Sequence, residues 1–193
     1  MTLSSGNRAL FLDRDGVINI DYGYVHSSKN FKFIEGIFEL VRAAHAECYR
    51  VVVITNQAGI GRGYYSERQF RELTSWMEAQ FEDAGAPIDK VYYSPYHPTA
   101  GIGKYRKNED TRKPGAGMLL KARDELGLSL ESSVLIGDNY SDILAGVTAG
   151  VKINLLLSKR VFPELAGIDY EVVPSLKHVI PYLKTPRTSP YFR

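Results

Sequence analysis

Short apolar runs alternate along the chain with longer stretches whose apolar positions recur every three or four residues. Residues 9–12, 50–54, 90–93, 133–136 and 152–157 are the short runs and read as strands. They are apolar without alternation, as strands buried on both faces must be. Between the first two, residues 36–47 place Ile37, Leu40, Val41 and Ala44 on one helical face. Ser66 caps a long helix, Gln69 completes its capping box, and Gly85 lies just past its end. Pro114 is expected to open a helix that stops at Gly127, and residues 141–149 form a shorter one ended by Gly150. A last strand at 170–173 and helix at 175–183 close the pattern. Strand and helix in regular alternation predict right-handed βαβ units, hence an α/β fold with a Rossmann-like, doubly wound parallel sheet.

Ligands of such sheets bind beyond the carboxyl ends of the strands. Just beyond the first four strands stand Asp13, Thr55, Ser94 and, after Gly137, Asp138, a polar set where a merely structural edge would need none. The first lies in Phe11-Leu-Asp13-Arg14-Asp15-Gly16, where two carboxylates stand two residues apart at a strand end. They repel each other unless a cation sits between them, and a hard ion such as Mg²⁺ suits oxygen ligands. Asp138 can complete that metal shell, and Asp142, four residues on, faces the same site from the first helical turn. Thr55-Asn56-Gln57-Ala-Gly59 offers a hydroxyl, amides and backbone N–H groups to phosphate oxygens. Arg112 and Lys113 put two cations just before a helix N-terminus, where anions are favoured.

Composition narrows the classes of partner. A length of 193 residues suits one domain spanning 1–193. Basic residues exceed acidic ones by only two, and that small surplus lies in residues 101–114 and in a basic tail at 184–193, which leaves the rest net acidic. Nucleic acid is therefore not expected as a partner. No apolar run reaches the ~18 residues of a membrane span, so no membrane partner is expected either. The N-terminus lacks a signal-peptide pattern, and the lone Cys48 allows no intramolecular disulfide. A cytoplasmic monomer acting on a small molecule is the simplest expectation.

These pieces, in this order, resemble the four signatures of the haloacid dehalogenase-like (HAD-like) phosphohydrolases. The stretches 13–26, 55–63 and 112–118 are most similar to the heptose bisphosphate phosphatase branch, with the histidinol-phosphate phosphatases as the alternative. The resemblance implies Asp13 as nucleophile and Asp15 as acid/base, with Thr55 and Lys113 holding phosphoryl oxygens. It implies Mg²⁺ on Asp13, Asp138 and the main chain of Asp15, and a sugar phosphate in contact with Asp21, Tyr22, Gly23, Tyr24, Asn56, Gln57 and Arg112. Asn139 completes the implied substrate contacts, at a position where the family often has Lys. No insert is long enough for a large cap, so a minimal cap is implied, and a role in heptose supply to lipopolysaccharide follows from the branch. One departure is large. Both branches usually carry a structural zinc on three Cys and a His in the loop after the third strand. The matching positions here are Ser94, Tyr96, Glu109 and Thr111, so no zinc is expected. A non-catalytic phosphosugar-binding module is disfavoured because both Asp13 and Asp15 are present.

Overall fold

In a computed structural model of the protein, residues 7–158 and 160–184 are described. Six strands form one parallel sheet: β1 (Arg8–Leu12), β2 (Tyr49–Asn56), β3 (Lys90–Ser94), β4 (Val134–Gly137), β5 (Ile153–Leu156) and β6 (Glu171–Val172). Their order across the sheet is β3-β2-β1-β4-β5-β6. The chain thus winds outward from β1 in both directions, and the switch point lies at the carboxyl end of β1.

Side-chain alternation explains why the strands read as unbroken apolar runs. Leu10 and Leu12 of β1, with Val51 and Val53 of β2, face a core shared with α1 (Ile37–Ala46) and α3 (Glu67–Asp83). Ala9 and Phe11, with Val52 and Ile54, face the opposite core. That second core is closed by Met118, Leu119 and Ala122 of α4 (Gly117–Leu126) and by Ile143 and Ala145 of α5 (Tyr140–Ala149). Two shorter helices complete the set, α2 (Ala58–Gly61) and α6 (Ile180–Leu183). The capping box of α3 forms as expected: the Ser66 hydroxyl accepts from the Gln69 N–H, and the Gln69 side chain accepts from the Ser66 N–H.

Two expected helices differ. The one assigned to Pro114 begins at Gly117 instead. Gly115 N–H returns to the Arg112 carbonyl at 2.7 Å and Gly117 N–H to the Asp110 carbonyl at 2.9 Å, so residues 112–116 close a turn rather than a helical first turn. The helix expected over 175–183 is a 3-10 turn at Leu176–His178 followed by α6, because Pro181 has no N–H to continue the helical ladder. The basic tail, apart from Lys184, lies outside the described residues.

Candidate active site

Strand pairing brings the predicted motifs together. Leu12 is in register with Val53 of β2 and Ile136 of β4, and Asp13 N–H donates to the Ile136 carbonyl at 3.0 Å. Asp13 and Asp138 therefore emerge side by side from adjacent strands, beyond the apolar sheet, into a cavity of about 700 Å³. The approach is close: a Cβ on Gly16 would lie 2.1 Å from Asp138 Oδ2, so only glycine fits there. Gly16 also has φ +90°, a conformation that glycine adopts without strain.

Lys113 is the electrostatic centre of the site. Its side chain is buried, and its Nζ lies 2.8 Å from Asp13 Oδ1, 2.6 Å from Asp142 Oδ1 and 2.9 Å from the Ile54 carbonyl. All three protons of the ammonium thus have acceptors. Burial alone would pull the Lys113 ammonium down, but Asp13 and then Asp142 outweigh it and hold the group above its ordinary range. Burial pushes the Asp13 carboxyl well up, with Lys113 opposing and Asp142 and Asp138 adding to the rise. Asp138 is pushed up to about 7, first by burial and then by the neighbouring Asp142 charge.

Two rising carboxyls and one committed lysine leave the site short of positive charge. Ligand oxygens of Asp13, Asp138 and Asp142 lie within 4.8 Å of one another. An all-oxygen donor set with this unmet negative charge fits a hard divalent ion such as Mg²⁺.

Asp15 is held from three sides. Arg14 Nη2 donates to both of its carboxylate oxygens, at 2.9 and 2.8 Å, while Asn19 Nδ2 and Gln57 Nε2 donate at 3.0 and 3.2 Å. Gln57 also donates to Thr55 Oγ1 at 2.8 Å, and its own carbonyl accepts from the buried Tyr65 hydroxyl at 2.6 Å. That bond fixes which way the amide points. Burial raises the Tyr65 phenol to about 12, so it stays a donor. Arg14, Asn19 and Tyr65 were not among the expected site residues. Arg14 stands between the two aspartates, and its position inside the motif was the available signal.

Most of the expected substrate contacts line the cavity: Asp21, Gly23, Tyr24, Asn56, Arg112 and Asn139. Asn56 spends its amide on the main chain of Lys113, accepting from N–H and donating to the carbonyl, both at 3.0 Å. Asn139 caps α5, and its N–H donates to Asp142 Oδ2 at 3.0 Å. Two residues stand apart. Gln57 is 1% exposed and sits behind the cavity wall, and Tyr22 is 61% exposed and lies over a separate hollow beside Lys29 and Lys32. An exposed Asx-turn carries Tyr22 outward, because Gly23 N–H folds back onto Asp21 Oδ1 at 2.8 Å.

At the positions matched to zinc ligands, Ser94 Oγ and Thr111 Oγ1 lie 3.4 Å apart, Glu109 pairs with Lys107, and the Tyr96 ring lies tilted against that of Tyr105. Hydroxyls, a phenol and one salt-bridged carboxylate are not a zinc donor set.

The HAD-hydrolase-like family model matches residues 110–178, the part of the chain that carries Lys113, Asp138 and Asp142. Sheet order, aspartate pair and buried lysine together define a HAD-like phosphohydrolase. The D-glycero-alpha-D-manno-heptose-1,7-bisphosphate 7-phosphatase of Burkholderia mallei is 52% identical over 93% of this chain and 95% of its own length. The D-glycero-beta-D-manno-heptose-1,7-bisphosphate 7-phosphatase of Vibrio cholerae is 44% identical over 91% and 95%. Among solved structures, the D,D-heptose 1,7-bisphosphate phosphatase of B. bronchiseptica, complexed with magnesium and phosphate, superposes with a TM-score of 0.78 at 25% identity, covering 91% of this chain and 97% of that one. The chain belongs to the heptose-1,7-bisphosphate 7-phosphatase family. No helix among the described residues is long and apolar enough to cross a membrane.

Proposed function

We propose that the protein is a phosphoric monoester hydrolase that removes the 7-phosphate of D-glycero-D-manno-heptose 1,7-bisphosphate. The observation that carries this reading is the convergence of Asp13, Asp15, Thr55 and Lys113 at one strand edge, in a chain 52% identical to a heptose-1,7-bisphosphate 7-phosphatase. It acts as a cytoplasmic monomer on a small sugar phosphate.

Asp13 is the nucleophile. One of its carboxylate oxygens bonds to phosphorus, the bond from phosphorus to the sugar oxygen breaks, and Asp15 passes a proton to that departing oxygen. Water then attacks phosphorus, Asp15 takes a proton back, and the Asp13 carboxylate and inorganic phosphate are released. Thr55 and Lys113 meet the equatorial oxygens, where charge builds in the transition state. Asp142 and the Ile54 carbonyl hold Lys113 in place, and the proton it gives to Asp13 is the one that turns to a phosphoryl oxygen. Asp13, Asp138 and the Asp15 carbonyl would hold a Mg²⁺ ion, which would supply positive charge against the incoming phosphate. No zinc is part of the reading, since the loop after β3 offers it no donor set.

A phosphate-release screen over both anomers of the heptose bisphosphate, histidinol phosphate and a 5′-phosphorylated oligonucleotide tests this directly. The heptose bisphosphate is expected to give the highest kcat/KM and to leave heptose 1-phosphate. Preference for histidinol phosphate or for the oligonucleotide overturns the reading.

A further inference from the structure

The loop between β3 and α4 reaches the cavity through Arg112, His97 and Pro98, and Arg62 at the end of α2 also lines it. This side is cationic and crowded. Burial, and then the nearby charge of Arg62, pull the Arg112 guanidinium below its ordinary range. Two guanidiniums that repel each other stay together only if their supports are rigid.

Those supports converge on one carboxylate outside the cavity. Glu67, in the first turn of α3, accepts from the Tyr105 hydroxyl at 2.6 Å, the Tyr93 hydroxyl at 2.9 Å and Arg71 Nη1 at 3.1 Å. Tyr93 belongs to β3, where it is in register with Thr55 of β2, while Tyr105 belongs to the loop. Glu67 therefore ties the loop to the sheet. From Tyr105 the restraint passes along the main chain. Its carbonyl accepts from His97 N–H at 3.1 Å, and Ile102 N–H donates to the Gly61 carbonyl at 2.8 Å. The packing leaves no slack: a Cβ on Gly61 would lie 2.4 Å from the Pro95 carbonyl oxygen, and one on Gly101 2.4 Å from that of Tyr105. His97 Nε2 in turn lies 3.2 Å from Arg62 Nη2, and Arg112 Nη1 donates to the Tyr96 carbonyl at 3.3 Å.

We infer that Glu67 is a positioning residue: by gathering the phenols of Tyr93 and Tyr105 it sets Arg62 and Arg112 for the phosphate of the substrate that is not cleaved. This rests on the bisphosphatase reading above. Glu67 touches neither the substrate cavity nor the reacting groups, so its effect is on recognition and not on chemistry. The bonds also leave their mark on Glu67 itself, whose carboxyl is lowered first by Tyr105 and then by Tyr93.

The test compares Glu67→Gln, Tyr105→Phe and the double variant on two substrates, the heptose 1,7-bisphosphate and p-nitrophenyl phosphate. KM for the bisphosphate is expected to rise about tenfold in each single variant, the scale of one displaced charge-assisted bond. The kcat on the bisphosphate and kcat/KM on p-nitrophenyl phosphate should stay within about twofold of wild type, since only binding at the far end is disturbed. The double variant should be no worse than either single one, because both break the same link. Tyr105→Phe removes only a hydroxyl and carries the test if Glu67→Gln does not fold. Equal losses on both substrates, or an unchanged KM for the bisphosphate, overturn the inference while leaving the wild-type activity in place. A wild type inactive on the bisphosphate removes the functional reading, and this inference with it.

Discussion

Asp13 and Lys113 show how one residue can serve activity at the expense of stability. Burial disfavours the Asp13 charge, and Lys113 holds it in place. Asp13→Asn removes the proposed nucleophile, and turnover should fall by more than about a thousandfold, as for other enzymes that lose a covalent nucleophile. The same change relieves a buried negative charge while Asp142 still pairs with Lys113, so the thermal midpoint should not fall. A variant that keeps a tenth of wild-type kcat would remove Asp13 from the role given to it. Lys113→Ala should behave in the opposite way for stability. It strands Asp13 and Asp142 together without a cation and should cost about 3 kcal/mol or more in denaturant unfolding, with activity lost as well. A loss below about 1 kcal/mol would mean that the two carboxyls are neutralised by other means.

At the scale of elements, α3 holds both a helix cap and the anchor of the loop. Ser66→Ala removes the cap and should lower stability by about 1 kcal/mol, read by urea unfolding. Glu67 gives the fold a pH dependence. Its carboxyl is held below the ordinary glutamate value of 4.5, chiefly by Tyr105 and Tyr93. A lowered acid stabilises the fold above its unfolded value and loses that contribution as pH falls through its folded one. The difference in thermal midpoint between wild type and Glu67→Gln should therefore be full at neutral pH and shrink below about pH 4.5. A difference that grows on acidification would contradict the geometry described for Glu67.

Why strands, caps and the aspartate motif were legible in the sequence, and the Glu67 link was not, follows from range. Apolar runs and the Ser66–Gln69 box act within a few residues, so their pattern is local. Tyr105 and Glu67 are 38 positions apart, and nothing in the intervening sequence marks their pairing. Tyr65 acts on Gln57 across eight positions, through a side chain that composition alone would assign to the core. The start of α4 was misplaced for a related reason: Pro114 suits a first helical turn locally, but the Arg112 and Asp110 carbonyls recruit Gly115 and Gly117 into a turn that only the folded loop reveals.

The whole molecule is a scaffold that gathers four strand ends, and its loop after β3 offers Ser94, Tyr96, Glu109 and Thr111 where a zinc would need thiolates and imidazoles. Purified protein should contain no stoichiometric zinc by elemental analysis, and strong chelation followed by added Mg²⁺ should restore full activity. One zinc per chain, with unfolding on its removal, would show that the loop after β3 is held by metal and not by Glu67 and its tyrosines. In the proposed reaction, phosphate passes through Asp13 on its way to water. Two successive in-line displacements at phosphorus restore its configuration, whereas a single attack by water inverts it. Hydrolysis of a heptose bisphosphate made chiral at the 7-phosphate with oxygen isotopes and sulfur should therefore give product with retained configuration. Inversion would contradict the account.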